Sequence, residues 1–233
     1  MRYLGGKSKI AKPLTARILE LTPNRKRLVE PFIGGGAMTS ELAPHFEKVL
    51  AYDVHEDLVL MWQAVLHGWV PPSEISEQSY ARLKSEDPSA LRGFAGFGGA
   101  SWGGKWFGGY ARGDGRNYAD ESSRALVRQA AKMGNVTVSR AEFLEVNVQL
   151  NDVIYCDPPY AGTTGYESVF NSEIFWITAR SWVEKGADVF VSEYAAPEGW
   201  PEVWAKTRTR DMKSKLTNAV QVTEKLFHLT AFD

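Results

Sequence analysis

The chain has 233 residues, 44% hydrophobic and 24% charged, which is the composition of one globular protein with a sizeable core. A net charge of −1 excludes a molecule that is basic throughout, so any contact with nucleic acid must come from local basic patches. No apolar run reaches the ~20 residues that a membrane crossing needs, the N-terminus has no apolar signal core, and Cys156 and the four histidines predict neither a disulfide nor a metal site. We therefore expect a cytoplasmic protein that contacts no membrane and holds no metal.

The first third of the chain alternates between predicted helices and strands. Gly34, Gly35 and Gly36 lie between the first strand and the helix after it, where missing side chains let a backbone approach a ligand closely. Asp53 follows the second strand, about 20 residues beyond the glycines, where an acid can accept hydrogen bonds from ribose hydroxyls. The predicted elements are helices over Ile10–Leu21, Ala37–Leu42 and Glu56–Leu66, and strands over Leu28–Ile33 and Lys48–Tyr52.

The region from Val70 to Gly134 differs from the sequence on either side of it. A short helix is predicted over Ser76–Ser85 and a longer one over Ser122–Met133, with Gly134 as its cap. Between them, residues 93–115 are rich in glycine and aromatics and show neither a helical nor a strand period. Such a stretch suits a loop that stacks on bases or contacts phosphates, and the alternative is an irregular loop that buries its rings in the core. The basic residues in and beside it are Lys105, Arg112 and Arg116.

The apolar run Val153–Cys156 stops abruptly at Asp157-Pro158-Pro159-Tyr160. This pattern predicts a buried strand that delivers side chains to the carboxyl edge of a sheet. Each proline fixes its own φ and lacks an N–H, so the strand end is stiff and its carbonyls stay unpaired. The Asp157 carboxylate and the Pro158 carbonyl could accept both hydrogens of an exocyclic amine, which localises the lone pair on its nitrogen, while Tyr160 stacks on the base. A purely structural turn is the alternative.

After this motif, a polar loop over Ala161–Phe170 is expected to fold over the substrate. A helix is predicted over Glu173–Lys185, because Asn171 or Ser172 can cap its N-terminus. A core strand is predicted over Asp188–Tyr194 and ends at the edge of the sheet. The residues of this strand that could line the pocket are Ser192 and Glu193.

Threonine and arginine alternate within Lys206–Lys215, which predicts a strand with one basic face. Arg208 and Arg210 could bind phosphate there, and a solvated edge strand protected from aggregation by its charges is the alternative. Val220–Leu229 predicts the last strand. Because strands and helices alternate along most of the chain, we expect an α/β fold with a mostly parallel sheet covered by helices on both faces.

Three motifs, in this order along the chain, resemble the Dam-type amino-methyltransferases: Tyr3-Leu4-Gly5-Gly6-Lys7, Pro31-Phe32-x-Gly34-x-Gly36 and Asp157-Pro158-Pro159-Tyr160. These are S-adenosylmethionine-dependent DNA adenine-N6 methyltransferases of the D12 class and alpha group, and the resemblance spans most of the chain. It implies a Rossmann-like class I methyltransferase fold, with a mostly parallel seven-stranded sheet that ends in an antiparallel hairpin. It also implies a catalytic domain over 1–70 and 134–233, with a small target-recognition insert over 71–133.

The resemblance implies methyl transfer from S-adenosylmethionine to N6 of a flipped adenine in double-stranded DNA. By the same likeness, Glu142 stands where the family usually has an Asp. Because the insert is short, both site-specific and broad-specificity methylation stay open. A monomer is expected, since nothing in the sequence suggests a dimer. The residues that would be catalytic are Asp157, Pro158 and Tyr160; those that would bind the cofactor are Tyr3, Lys7, Phe32, Gly34, Gly36, Asp53, Glu142, Phe143 and Asp157; those that would bind DNA are Lys105, Arg112, Arg116, Arg208 and Arg210.

Related tetrapeptides also occur in enzymes that methylate cytosine N4, RNA bases or protein glutamine, so the amine chemistry leaves these substrates open. A relative that binds DNA or cofactor without turnover is a further alternative, which the intact Asp157, Pro158 and Tyr160 disfavour. The compact size fits a stand-alone enzyme of a phage or mobile element, in a bacterial or phage-infected cell. A partner restriction enzyme, as in restriction-modification systems, stays open.

Overall fold

The computed structural model describes residues 1–23, 25–113, 115–159, 170–210 and 220–231, and of 208–210 and 220 it describes the backbone alone. Among these residues, none of the helices combines the length and apolar character that a bilayer crossing needs. The strands are Arg27–Glu30 (β1), Lys48–Asp53 (β2), Val136–Arg140 (β3), Val153–Cys156 (β4), Asp188–Glu193 (β5), Glu202–Arg210 (β6) and Val220–Leu229 (β7). The α-helices are Ala11–Leu21 (α1), Ala37–Leu42 (α2), Glu56–Leu66 (α3), Glu77–Leu83 (α4), Ala90–Phe94 (α5), Tyr118–Ala130 (α6) and Ser172–Glu184 (α7).

All seven strands form one sheet in the order β3-β2-β1-β4-β5-β7-β6. The first five run parallel, and β7 pairs antiparallel with both β5 and β6. The strand order reverses between β1 and β4, which pair through Leu28 opposite Val153 and Val29 opposite Ile154. Such a reversal opens a crevice at the carboxyl ends of the two strands. The predicted Rossmann-like class I methyltransferase fold, with its antiparallel terminal hairpin, is confirmed.

The two central strands are buried on both faces, which explains their continuous apolar sequences. Leu28 and Tyr155 point into one core cluster, which also contains the fully buried Trp62 of α3. Val29 and Ile154 point into the other cluster, on the opposite side of the sheet, with residues of α7. Because successive side chains of a strand face opposite ways, each short strand contributes to both cores.

Three helix ends differ from the sequence prediction or refine it. The Asn171 side chain accepts a hydrogen bond from the backbone N–H of Ile174, so Asn171 rather than Ser172 caps α7. Helix α6 begins four residues earlier than predicted, because the Asn117 side chain caps it by accepting from the N–H of Asp120. The same helix ends at Ala130 with Ala131 as its C-cap, so the prediction that Gly134 caps it is wrong.

The sequence predicted an irregular glycine and aromatic stretch, but its first residues are helical. Helix α5 continues as a π-helical turn over Ala95–Gly99, and Phe94 and Phe97 are buried. The absent side chain of Gly93 explains this packing, since a Cβ there would lie 2.2 Å from the carbonyl oxygen of Asp57 in α3. The Asp57 carboxylate also accepts from Arg92 at 2.6 Å. Glycine has a low helix propensity, so the sequence period did not reveal a helix that close packing permits.

The segment predicted as a recognition insert forms hydrogen bonds both within itself and to the rest of the protein. In α6, the Ser122 hydroxyl donates to the Gly98 carbonyl and the Ser123 hydroxyl donates to the Pro71 carbonyl, both at 2.6 Å. Gln129, further along the same helix, donates to the carbonyl of Gly35 at 3.0 Å. The division into a catalytic domain over 1–70 and 134–233 and an insert over 71–133 stays a prediction.

Replacing Gly93 with Ala tests the crossing of α3 and α5. A methyl group would collide with the backbone of α3, which cannot move without displacing buried neighbours, so we expect the free energy of unfolding to fall by about 1–3 kcal/mol. Urea denaturation measures it. Gly134→Ala is the control, since open space surrounds that position, and should change stability by no more than about 0.5 kcal/mol. Equal stability of the two variants would contradict the close crossing.

Candidate active site

Three acidic side chains converge on the edge of the sheet where the order reverses. Glu30 ends β1, Asp53 ends β2 and Asp157 follows β4, and all three strands run in the same direction. Parallel strands bring their carboxyl ends to one edge, so the position of each acid follows from its place in the sequence. The sequence motifs predicted roles for Asp53 and Asp157 and none for Glu30.

Asp157 lies at this edge in contact with the N-terminal segment. The Lys7 ammonium donates to Oδ1 of Asp157 at 2.7 Å, and it lies 3.7 Å from Oε2 of Glu224 in β7. Lys7 is buried, while the Asp157 side chain is 21% exposed. Pro158 is buried beside them, and Tyr160 lies outside the described residues. The structure therefore brings Lys7 onto the acid of the tetrapeptide, 150 residues away in sequence.

The glycine turn after β1 is filled by two aromatic side chains of the protein itself. Gly34 and Gly36 have φ of +46° and +65°, which favour glycine. A Cβ on Gly34 would lie 2.9 Å from the Tyr3 ring, and one on Gly36 would lie 2.4 Å from the Trp62 ring. The Trp62 indole N–H also donates to the Gly34 carbonyl at 2.9 Å. The rings of Tyr3 and Trp62 therefore occupy the space that side chains at these glycines would need, and the cofactor contacts predicted for Gly34 and Gly36 stay predictions.

Asp53 is nearly buried, and its carboxylate is held by the backbone. Oδ2 accepts from the N–H of Gly34 at 3.1 Å and Oδ1 accepts from the N–H of His55 at 3.0 Å. Burial raises the pKa of Asp53 to about 6, although these hydrogen bonds oppose the shift. A carboxylate has about four acceptor sites, so the backbone N–H groups of Gly34, His55 and Val54 leave Asp53 the capacity to accept a further hydrogen bond.

Glu30 is the functional candidate that sequence reasoning missed. Its side chain is buried, and Oε2 accepts a hydrogen bond from the Thr39 hydroxyl at 2.6 Å. Burial, together with the nearby negative charges of Asp157 and Asp53, raises the pKa of Glu30 to about 8. The sequence did contain a signal for Glu30: it ends the apolar run that begins with Leu28, and strand ends of a parallel sheet meet at the edge where Asp157 lies.

Aromatic rings form a wall beside this edge. Phe32 lies after β1, and its ring is 5.8 Å from that of Phe143, whose segment is joined to β2 through a hydrogen bond between Ala141 and Asp53. Both rings are partly exposed. Glu142 is exposed and caps the short 3₁₀ turn that follows it. The remaining rings of the cluster are Phe170 and Phe175.

The predicted pocket residues of β5 are both buried. The Ser192 hydroxyl forms a 2.8 Å hydrogen bond with the hydroxyl of Tyr155 in β4, inside the sheet. Glu193 is the last residue of β5 and lies opposite Lys225 of β7. Their roles in lining a pocket stay predictions.

The residues predicted to bind DNA have different surroundings. Lys105 is exposed. Arg112 pairs with Glu77, and Arg116 pairs with Glu121 at 2.6 Å, so part of their charge is neutralised within the protein. Strand β6 includes Arg208 and Arg210, as predicted, but their side chains lie outside the described part of the structure.

A family model of D12 class N6 adenine-specific DNA methyltransferases matches residues 3–90 and 104–197, including the Gly-Gly-Lys segment, the glycine turn and the Asp-Pro-Pro-Tyr tetrapeptide. The chain belongs to this family. The resemblance inferred from the motifs is therefore confirmed. The D12 match omits residues 91–103, where α5 and the π-helical turn lie.

Curated relatives agree with this D12 assignment. DNA adenine methylases from two strains of Vibrio cholerae serotype O1 are 25% identical over 188 residues, or 69% of this chain and 64% of theirs. The chain thus spans less than two thirds of their length. The type II methyltransferase M.MjaIII of Methanocaldococcus jannaschii is 36% identical over 69 residues, or 28% of this chain and 24% of that protein.

Solved methyltransferase structures are similar only at low identity. The N-methyltransferase NodS from Bradyrhizobium japonicum is 10% identical, with a TM-score of 0.45 and 95% of each chain covered. An RNA methyltransferase from Salinibacter ruber is 12% identical, with a TM-score of 0.42, covering 94% of this chain and 90% of its own. Since neither TM-score reaches 0.5, the fold rests on the strand order described above.

Replacing Glu30 with Gln tests its buried, protonated state. The folded protein keeps a proton on Glu30 up to a pH of about 8, whereas the unfolded chain releases it near its ordinary value of 4.5. The native state therefore binds more protons in this interval, and wild-type stability should fall relative to Glu30→Gln as the pH rises from about 4.5 to about 8, by several kcal/mol. Urea denaturation across this range measures it. Glu74→Gln is the control, because Glu74 is exposed. If the difference in unfolding free energy between wild type and Glu30→Gln does not change with pH, the prediction is contradicted.

Proposed function

We propose that this D12 family member transfers a methyl group from S-adenosylmethionine to N6 of adenine in double-stranded DNA, acting as a monomer. The observation that carries the proposal is the position of Asp157, at the end of β4 and at the strand-order reversal, followed by buried Pro158. An amine acceptor at this crevice stands where open α/β sheets bind their ligands.

The described residues fit the cofactor. Asp53 retains acceptor capacity for ribose hydroxyls, and the partly exposed rings of Phe32 and Phe143 offer a wall for a purine at the same edge. Gly34 and Gly36 shape the turn that brings the backbone to Asp53. When bound, S-adenosylmethionine supplies a sulfonium methyl group whose C–S bond breaks with both electrons on sulfur as the amine lone pair forms the N–C bond. Tyr3, Lys7 and Glu142 stay predicted cofactor contacts.

The protein's part in the reaction is to hold the amine. A stacked and paired adenine cannot reach the site, so the base must first be extruded from the duplex. The Asp157 carboxylate and the Pro158 carbonyl then accept the two amine hydrogens, which turns the lone pair toward the methyl group. Tyr160, which lies outside the described residues, stays the predicted stacking partner.

Within the glycine and aromatic stretch, Trp102 is the ring that we assign to the DNA contact, because the other rings there are buried or only partly exposed. Trp102 is 51% exposed, in contrast to buried Phe94 and Phe97. It begins a tight turn that ends at Gly104, whose carbonyl accepts from the N–H of Leu4 at 3.2 Å. Trp102 and exposed Lys105 are therefore fixed to the segment that leads to the active site, and they supply a stacking ring and a positive charge.

The alternative substrates present the same kind of amine: cytosine N4, RNA bases and protein glutamine. The alternative to an enzyme is a DNA-binding relative that does not catalyse the transfer. Tritium transfer from labelled cofactor to duplex DNA, followed by nucleoside analysis, separates them. N6-methyladenine is the expected product, and label in N4-methylcytosine, in RNA alone or in no acceptor would overturn the proposal. Sequencing the methylated DNA then decides between one short recognition word and broad specificity.

Replacing Asp157 with Ala should lower the rate of methyl transfer by about 10²–10³-fold or more, because the amine loses its charged acceptor. Binding of S-adenosylmethionine should stay within about twofold of wild type, since Asp53 and the aromatic wall remain. Transfer assays and calorimetric binding measure the two effects. Near-normal transfer by this variant would remove Asp157 from the mechanism.

Replacing Trp102 with Ala should raise the Kd for duplex DNA by about tenfold, the loss expected for one base–aromatic stack. Ile177→Ala is the matched control, since Ile177 is a comparably exposed apolar residue on α7, and it should bind DNA as the wild type does. Fluorescence anisotropy at fixed salt gives both constants. Equal binding by the two variants would exclude Trp102 from the DNA contact.

A further inference from the structure

Lys7 does not form a simple ion pair. Its ammonium group lies between two carboxylates, 2.7 Å from Oδ1 of Asp157 and 3.7 Å from Oε2 of Glu224. The Lys7 side chain is 3% exposed and that of Glu224 is 11% exposed, so water screens this cluster weakly. The three groups together carry a net charge of −1.

Three distant parts of the chain supply these groups. Lys7 precedes α1, Asp157 follows β4, and Glu224 lies in β7, beyond the residues 3–90 and 104–197 that the family model matches. On β7, Glu224 shares a face with Leu226, which packs in the same core cluster as Tyr155 of β4. The sheet therefore presents Glu224 and Asp157 on one side, with the ammonium between them.

The proposed reaction makes the sign of this charge important. As the C–S bond breaks and the N–C bond forms, the positive charge of the sulfonium moves to the amine nitrogen, which afterwards loses a proton to water. A neutral Lys7–Asp157 pair would stabilise that developing charge poorly, since the ammonium opposes the carboxylate. A second carboxylate near the same ammonium restores the net negative charge.

We propose that Glu224 is a positioning residue for methyl transfer: it holds the Lys7 ammonium and offsets its charge, so that Asp157 faces the amine as a full anionic acceptor. This inference rests on the proposed function. It gives the antiparallel hairpin a part in the chemistry, through Lys7 rather than through contact with the substrate.

The test is a double-mutant cycle on the single-turnover rate of methyl transfer from labelled S-adenosylmethionine to duplex DNA. Glu224→Gln should lower this rate about tenfold, while the Kd values for DNA and cofactor change less than about twofold, because the lost interaction acts on the transition state. In the Lys7→Gln background the same change should cost less than about twofold, since no ammonium is left to offset. Glu224→Asp, which keeps the charge, should recover most of the rate.

Glu202→Gln is the matched control. It removes the 2.8 Å ion pair between Glu202 and Lys225 in the same hairpin, and Lys225 faces the opposite side of β7 from Glu224. The control should transfer methyl groups at the wild-type rate, and melting temperatures verify that all variants are folded. If Glu224→Gln does not fold, Glu224→Asp decides: it should fold and should keep most of the wild-type rate of methyl transfer.

Several outcomes overturn the inference while the proposed function stands: a Glu224→Gln rate equal to that of Glu202→Gln, an equal loss in both Lys7 backgrounds, an effect on Kd alone, or no recovery by Glu224→Asp. A wild-type protein that binds duplex DNA but transfers no label would overturn the proposed function and this inference together. Normal methyl transfer by the wild-type protein therefore distinguishes a failure of the Glu224 inference from a failure of the proposed function.

Discussion

The parallel direction of β1, β2 and β4 is the constraint on which the candidate site depends. Because these strands end at one edge, Glu30, Asp53 and Asp157 converge there, and the reversal of strand order beside them leaves a crevice. Gathering acids in a partly buried place costs free energy, which the raised pKa values of Glu30 and Asp53 express. The protein limits this cost with a hydroxyl on Glu30, backbone N–H groups on Asp53 and the Lys7 ammonium on Asp157.

The N-terminal segment connects the site to the surface that we propose for DNA. Tyr3 packs over the glycine turn, Leu4 bonds to the turn that carries Trp102, and Lys7 reaches Asp157. Each of these contacts joins the segment to a part of the chain that is distant in sequence, and together they fix the proposed base-stacking ring relative to the amine acceptor.

Three glycines of the chain serve the packing of neighbouring residues. Gly34 and Gly36 accommodate Tyr3 and Trp62, and Gly93 lets α5 cross α3 at backbone distance. A sequence shows that a position lacks a side chain, but it does not show which neighbour uses the space. For this reason the sequence located the glycine turn but did not reveal that Tyr3 and Trp62 pack against it. It also did not reveal the helical start of the glycine and aromatic stretch.

The sequence by itself determined the family, the alternation of strands and helices, and the acids at strand ends such as Asp53 and Asp157, because these depend on local periodicity and on short motifs. Only the tertiary structure decided that α6 begins after Asn117 rather than at Ser122, that Glu30 is buried with a raised pKa, and that Lys7 lies near Glu224. Burial and ion pairing depend on the distances between residues far apart in the chain, and no local pattern encodes those distances.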